Sequence, residues 1–369
     1  MVRYLVLGIV LLLGVYLFFC IRRTAKFFGA DIKKKRILAI CVFAAAALAY
    51  VSLNLFYTRA VIILHFVFLS LAMDLLALPV RIFYRKREKG RRIVFCTKIY
   101  QSSLIPFALT VLASLYGYYN MNRIIRTDYR IQTDKQIEDC RIVLMTDIHY
   151  DTVQNTRVLK EKFTEINELH PDLVVLGGDI VEEGTSEEKM EEAFRMLGGI
   201  QSKYGIYYVY GNHDRQPYTN RRTYEDYELE EAIADNGIQI LEDAYVEIGE
   251  NMILAGRGDA AWGDTKPRAS VEEILSGVDR SKYIIMADHQ PIHAKENDEQ
   301  GVDLQISGHT HAGQIWPTGF FSKYISGLNY GKYREGNCNI IVSSGIAGWR
   351  YTIRTGEHCE YVVIDIEKR

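Results

Sequence analysis

Four apolar stretches of about 20 residues each, at 2–21, 37–57, 60–80 and 99–119, fall in the first third of this 369-residue chain. A helix of that length spans a hydrocarbon core of about 30 Å. Away from their ends, the one formal charge they contain is Asp74. Four such runs in succession argue against buried helices of a soluble protein. They predict a membrane domain over 1–120 with four transmembrane helices, in the cell membrane.

Charge supports the division and orients it. Residues 1–120 carry 17 Lys+Arg and 3 Asp+Glu, whereas the remainder carries 27 and 43. The links 22–36 and 81–92 hold seven Lys+Arg each, and the link around Arg59 holds one. The positive-inside rule puts both basic links in the cytoplasm, and everything after the fourth span outside it. The basic cluster follows the first apolar run and no A-x-A-like site is present, so that run reads as an anchor rather than a cleaved signal. An intramembrane carboxylate such as Asp74 also keeps a transporter in view. The acidic remainder argues against nucleic acid as a partner, since that would call for a basic face. Cys140, Cys338 and Cys359 could form one disulfide but no framework. Nothing in the sequence sets the oligomeric state.

Residues 121–139 read as a polar connector with an extended segment near 129–131. From 140 to 369, short apolar runs alternate with amphipathic ones. Strands are expected at 141–146, 172–177, 206–210, 238–241, 252–256, 283–287, 302–307, 339–344 and 361–366. Helices are expected at 156–170, 186–197, 224–235 and 270–276. The first helix has Leu159, Phe163 and Ile166 at helical spacing and stops before Pro171. This alternation predicts a layered α/β domain.

Residues that can bind metal recur where these strands end. RIVLMTDIHY supplies Asp147 and His149, and DLVVLGGDI supplies Asp179 behind two glycines. IYYVYGNHD supplies Asn212, His213 and Asp214; YIIMADHQP supplies His289; VDLQISGHTH supplies His309 and His311. Strand ends of α/β sheets are where sites assemble, because the loops there converge on one crevice. Imidazoles mixed with carboxylates favour Mn, Fe, Zn, Co or Ni over calcium. Seven ligands exceed one tetrahedral ion but suit two divalent ions if one carboxylate bridges. Such a pair clamps the attacking and leaving oxygens of an in-line displacement at phosphorus. Five of the nine histidines fall in these motifs, a clustering hard to reconcile with structural use.

In this order, DxH, GGD, GNHD, the histidine of DHQP and GHTH resemble the calcineurin-like metallophosphoesterases, over about residues 140–345. With four upstream spans, the chain is most similar to that family's bacterial membrane-bound branch. The resemblance implies a four-layer α/β/β/α sandwich. It implies one metal held by Asp147, His149, Asp179 and His311, and another by bridging Asp179 with Asn212, His289 and His309. It makes His213 the group that protonates the leaving oxygen, with Asp214 orienting it. His293 competes with His289 for the fourth motif, and the H-x-P spacing favours His289.

The reaction expected is direct hydrolysis by water activated between two ions, with manganese among the candidate metals. An extracytoplasmic domain points to phosphodiesters of the envelope or lipid-linked phosphates as substrate. Phosphomonoesters or pyrophosphates would use the same centre, and a metal-free scaffold would be expected to have lost ligands. Arg215, Arg257 and Arg350 could each meet a phosphate. The segment 313–337 carries six aromatics that could line a substrate groove, lean on the bilayer or pack over the sheet.

Overall fold

A computed structural model describes residues 2–55, 57–83, 91–262 and 267–369. The chain divides into two compact units, Met1–Tyr116 and Gly117–Arg369.

The first unit is helical. It contains α1 (Val2–Phe27), α2 (Lys35–Val51), α3 (Thr58–Phe83), α4 (Arg91–Ser102) and most of α5 (Leu104–Met121), whose last turn belongs to the second unit. Two stretches, Gly8–Phe27 and Thr58–Pro79, are long and apolar enough to cross a membrane. The expected run 37–57 is helical only to Val51, and α2 and α5 are 17 and 18 residues long. The expected run 99–119 is not one helix, because it breaks at Ser103, whose φ is +56°. Pro106 explains the break. In a continuous helix its ring would strike the carbonyl of Ser102, whereas in the first turn of α5 its missing N–H costs nothing. Of the basic link 81–92, residues 84–90 lie outside the described residues.

Apolar side chains in this unit point outward. Leu12, Phe43 and Leu76 are all more than 70% exposed, while small residues such as Ala45 and Ala49 of α2 pack with Leu17 of α1. Asp74 is answered rather than free. Arg23 Nη1 donates to its Oδ1 at 2.7 Å and Tyr16 OH to its Oδ2 at 2.8 Å.

The second unit is built on β1 (Ile124–Thr133), β2 (Cys140–Met145), β3 (Leu173–Leu176), β4 (Ile206–Tyr208), β5 (Ile238–Ile240), β6 (Ala244–Ile248), β7 (Met252–Gly256), β8 (Tyr283–Ala287), β9 (Leu304–Ser307), β10 (Gly331–Glu335), β11 (Cys338–Val342) and β12 (Cys359–Lys368). They form two six-stranded sheets, ordered β1-β12-β2-β3-β4-β5 and β10-β11-β9-β8-β7-β6. Helices α6 (Thr156–Glu168), α7 (Glu187–Leu197) and α8 (Asp226–Asp235) cover the first sheet, and α9 (Val271–Ile274) and α10 (Ala294–Glu299) the second. The last helix, α11 (Thr318–Ser326), lies in the long segment before β10.

Burial on both faces explains why the central strands are continuous apolar runs. Ile142 and Leu144 of β2 join Ile285, Ile306 and Ile364 in the core between the sheets. Val143 and Met145 of the same strand face Leu159, Phe163 and Phe194 on the helical side. The layers are therefore α/β/β/α, as the resemblance implies. Parallel pairing of β2 with β3 and β3 with β4, and of β7 with β8 and β8 with β9, brings the C-terminal ends of these strands to one rim.

Three strands, β1, β6 and β10, have no counterpart in the sequence expectations beyond the short extended segment near 129–131. All three are edge strands, with one face or more in water, so their side chains lack a sustained apolar signal. Cys140, Cys338 and Cys359 are buried free thiols.

Candidate metal centre

The rim holds all seven residues singled out as ligands, in two groups. Asp147, His149 and His311 form one, and Asp179, His289 and His309 the other; in each, the candidate ligand atoms lie within 4.8 Å of one another. In the first, His149 Nε2 and His311 Nε2 are 3.3 Å apart, and His311 Nε2 is 3.4 Å from Asp147 Oδ1. In the second, His289 Nε2 is 3.2 Å from Asp179 Oδ2, and Asn212 Oδ1 is 2.9 Å from His309 Nδ1. Asp179 faces both groups, because the same Oδ2 is 3.9 Å from His149 Nε2.

The backbone bends sharply to present these side chains. Asp147, His149, Asp179, His309 and His311 all have positive φ, between +42° and +72°. Non-glycine residues adopt that region at a cost of about 1–3 kcal/mol each where the surroundings impose it, and such residues cluster at functional sites. Gly178 makes room for one of these bends. Its φ is +89°, and a Cβ there would lie 2.6 Å from Gly211 N and 2.7 Å from His289 Nδ1.

Ring orientation is fixed from behind, through the nitrogen opposite the proposed ligand atom. His289 Nδ1 meets Gly177 O at 2.8 Å, His311 Nδ1 meets Ala347 O at 3.3 Å, and His149 Nδ1 faces Glu182 Oε2 at 3.3 Å. His289 Nε2 is then buried and faces Asp179 Oδ2 at 3.2 Å without forming a hydrogen bond to it. An imidazole nitrogen without a hydrogen bond among ionised carboxylates is what a divalent cation would satisfy, so the donor set fits the metals that the motifs imply. Burial opposes charge on His149 and His289, yet the neighbouring carboxylates raise His149 to about 9 and His289 above its ordinary value, so the site attracts positive charge. Burial opposes charge on Asp147 and Asp179, yet the surrounding imidazoles hold both carboxyls below their ordinary value. Burial pushes His311 down to about 3, leaving a neutral ring able to coordinate.

His213 lies at the edge of both groups, its ring 5.6 Å from His149, 5.0 Å from Tyr218 and 5.2 Å from Trp349, centroid to centroid. Its expected partner is a correction. Asp214 does not orient the His213 ring, because its carboxylate accepts backbone N–H groups from Asp179, Ile180, Val181 and Gly211 at 2.6–3.1 Å. Four donors saturate it, so it ties the Asp179 bend to the Gly211 turn. The residue on His213 Nδ1 is Glu183, whose Oε2 is 2.8 Å away.

Sequence reasoning missed Glu182 and Glu183, although they directly follow the aspartate motif as GGDIVEE. It also missed Arg354, which is fully buried and donates to the carbonyls of His311, Ser344, Ala347 and Glu357. His293 is excluded from the site, since it pairs with Glu296 at 3.0 Å at the start of α10. Arg215 is engaged by Glu230 and Glu242, and Arg257 by Glu296 and the Ala269 carbonyl. Arg350 is exposed and sits 5.0 Å over the Trp349 ring, beside His213.

Two groups of carboxylate and imidazole ligands at the strand ends of an α/β/β/α sandwich define a metal-dependent phosphoric ester hydrolase. Residues 140–313 match the calcineurin-like phosphoesterase family, so the chain carries a domain of that kind. It is 29% identical to an uncharacterized metallophosphoesterase of Campylobacter jejuni, over 81% of this chain and 78% of that one. It is 30% identical to an uncharacterized metallophosphoesterase of Helicobacter pylori J99, over 68% and 66%. A transmembrane protein with metallophosphoesterase domain from Danio rerio is 25% identical over 76% and 66%.

Proposed function

We propose that the chain is a membrane-anchored phosphodiesterase with a dinuclear centre, acting on envelope or lipid-linked phosphoesters. The observation that carries the dinuclear reading is Asp179, whose Oδ2 faces His289 of one group and His149 of the other. Asp147, His149, Asp179 and His311 would hold one divalent ion; Asp179, Asn212, His289 and His309 would hold the second. When bound, two such cations lower the pKa of water and screen charge on the phosphoryl oxygens.

The chain's own groups do the rest. Glu183 accepts from His213 Nδ1 and fixes the ring, which leaves Nε2 as the atom to hand a proton to the leaving oxygen. Trp349 and Tyr218 pack against that ring and limit its rotation. Arg350, exposed beside Trp349, is placed to meet a phosphoryl oxygen of an incoming substrate. Asp214 keeps the Asp179 and Gly211 turns in register.

The anchoring reading has four crossings, by α1, α2, α3 and the α4–α5 pair, with 1–120 as membrane domain, 121–139 as connector and 140–369 as catalytic domain outside the cytoplasm. Seven Lys+Arg in each of two alternate links support it. Pairing of Asp74 with Arg23 and Tyr16 favours a structural role for this carboxylate over transport.

The test uses the full chain stripped of metal and reloaded with Mn²⁺. Hydrolysis of an aryl phosphodiester is compared with that of an aryl phosphomonoester, with Asp179→Asn as control. Metal-dependent turnover that favours the diester and vanishes in the variant is expected. A preference for the monoester would reassign the substrate class, and no bound metal with no turnover would sink the reading.

A further inference from the structure

In the second unit, exposed Phe and Trp side chains among the described residues are confined to one place. Trp316, Phe320, Phe321 and Tyr324 are 51%, 61%, 57% and 75% exposed. Phe320, Phe321 and Tyr324 share one face of α11, and the Phe320 ring packs edge-on against Phe321 and Tyr324 at 5.6 and 5.1 Å. Elsewhere in the unit, the large exposed hydrophobics are tyrosines, which carry a polar tip. A contiguous aromatic face of this kind marks a surface made to be covered.

What the same loop holds says what covers it. Tyr118 and Tyr119, both exposed, are on the last turn of α5, where the chain enters the second unit. That turn is bolted to the segment 353–357. Arg354 N donates to Gly117 O at 2.9 Å, and Asn120 Nδ2 donates to the carbonyls of Arg354, Gly356 and Glu357 at 3.1–3.3 Å. The approach to α11 hangs on the same segment, since Trp316 N donates to Thr355 Oγ1 at 3.0 Å and Gly356 N to Gln314 O at 2.9 Å. One short loop thus brings together the aromatic face and the point at which the chain leaves its apolar helix.

The same elements reach the ligands. Arg354 Nη2 donates to His311 O at 2.7 Å, and Thr318 Oγ1 to Gly313 O at 2.9 Å. A Cβ on Gly313 would lie 2.2 Å from Gly319 Cα, so α11 rests directly on the turn that carries His309 and His311.

We propose that α11 is a bilayer-contacting element, which lays Trp316, Phe320, Phe321 and Tyr324 into the lipid headgroup region and holds the metal centre against a membrane-borne phosphoester. This rests on the membrane-anchored phosphoesterase reading and narrows it to substrates presented by a lipid surface. Tryptophan and tyrosine favour that interface because their rings are apolar and their N–H or O–H stays wet, and phenylalanines add buried apolar area. The occupant is a bilayer rather than a protein because the segment that leads into α11 is hydrogen-bonded to the same loop as the end of the apolar α5.

The experiment uses the full chain in vesicles of phosphatidylethanolamine and phosphatidylglycerol. Trp262, Trp316 and Trp349 are the only tryptophans, so fluorescence reports on the second unit alone. Lipids brominated near the headgroup should quench the wild type, and Trp316→Phe should remove most of that quenching. Equal quenching in both proteins, or none in the wild type, overturns the contact. The combined Phe320→Ser, Phe321→Ser and Tyr324→Ser variant is then assayed on two nitrophenyl phosphodiesters, one soluble and one carried on diacylglycerol in the vesicle. Turnover of the lipid ester should fall at least about tenfold, with the soluble ester within about twofold of wild type. Equal loss on both, or loss on neither, overturns presentation by α11 and leaves a groove wall or protein docking face. If the metal-loaded wild type hydrolyses neither ester, the phosphoesterase reading fails, while the quenching result still decides the bilayer contact.

Discussion

The two units use polar side chains in opposite ways. In the helical unit, Asp74 is matched at once by Arg23 and Tyr16, and the large apolar groups face outward. In the sandwich, the apolar groups are inside. Asp147, His149, Asp179 and His289 are nonetheless buried together at one rim, the first three on strained backbone. A charge that is fully paired by its own unit holds structure, whereas several buried imidazoles and carboxylates crowded together without complete hydrogen bonding await a ligand. The contrast separates substitutions that remove chemistry from those that remove only assembly.

The largest effect is expected at Asp179. Asp179→Asn should empty both groups and reduce turnover to background, read as metal per chain by elemental analysis alongside initial rates. If the variant kept two metals, Asp179 would not be shared. His213→Ala should retain metal and lower turnover about 10²–10⁴-fold on a poor leaving group, with a smaller loss on a good one. Full rate on the poor leaving group would remove His213 from the reaction.

Asp214→Asn sharpens the comparison from the other side, because this carboxylate is buried in the sandwich yet saturated by four N–H groups. An amide supplies one acceptor oxygen and turns an NH₂ towards donors. The expected cost is about 2–3 kcal/mol of stability, seen in denaturant unfolding, with weakened metal binding as a consequence. Unchanged stability with lost activity would restore a catalytic role. The smallest effect is expected from Asp74→Asn, which should lower the thermal midpoint in detergent by a few degrees and leave phosphoester turnover unchanged. A loss of turnover there would show that the units are not separable in this way.

Much of the sandwich was legible because burial on both faces writes strands as apolar runs; β2, β3, β8 and β12 stand out for that reason. Edge strands β1, β6 and β10 were hidden by their wet faces. The continuous run 99–119 suggested one helix, and Pro106 with Ser103 divided it. The ligands were legible because metal chemistry restricts residue type and strand ends fix their place. Glu183 was not, since a glutamate beside a glutamate reads as surface charge until folding brings it to His213. Asp214 was misassigned because neighbours in sequence need not share a partner: its side chain turns to backbone amides while that of His213 turns the other way.

The sequence by itself determined that apolar helices precede a metallophosphoesterase sandwich, and which seven residues could ligate metal. Hydrophobic run length and donor chemistry are properties of the chain itself, whatever shape it takes. Tertiary structure alone decided that Asp179 faces both groups, that Glu183 rather than Asp214 holds His213, and that the short loop around the buried Arg354 links the end of α5, the approach to the aromatic helix and the turn of His311. Those are distances between residues far apart in the chain, and only the pairing of strands and the packing around them set them.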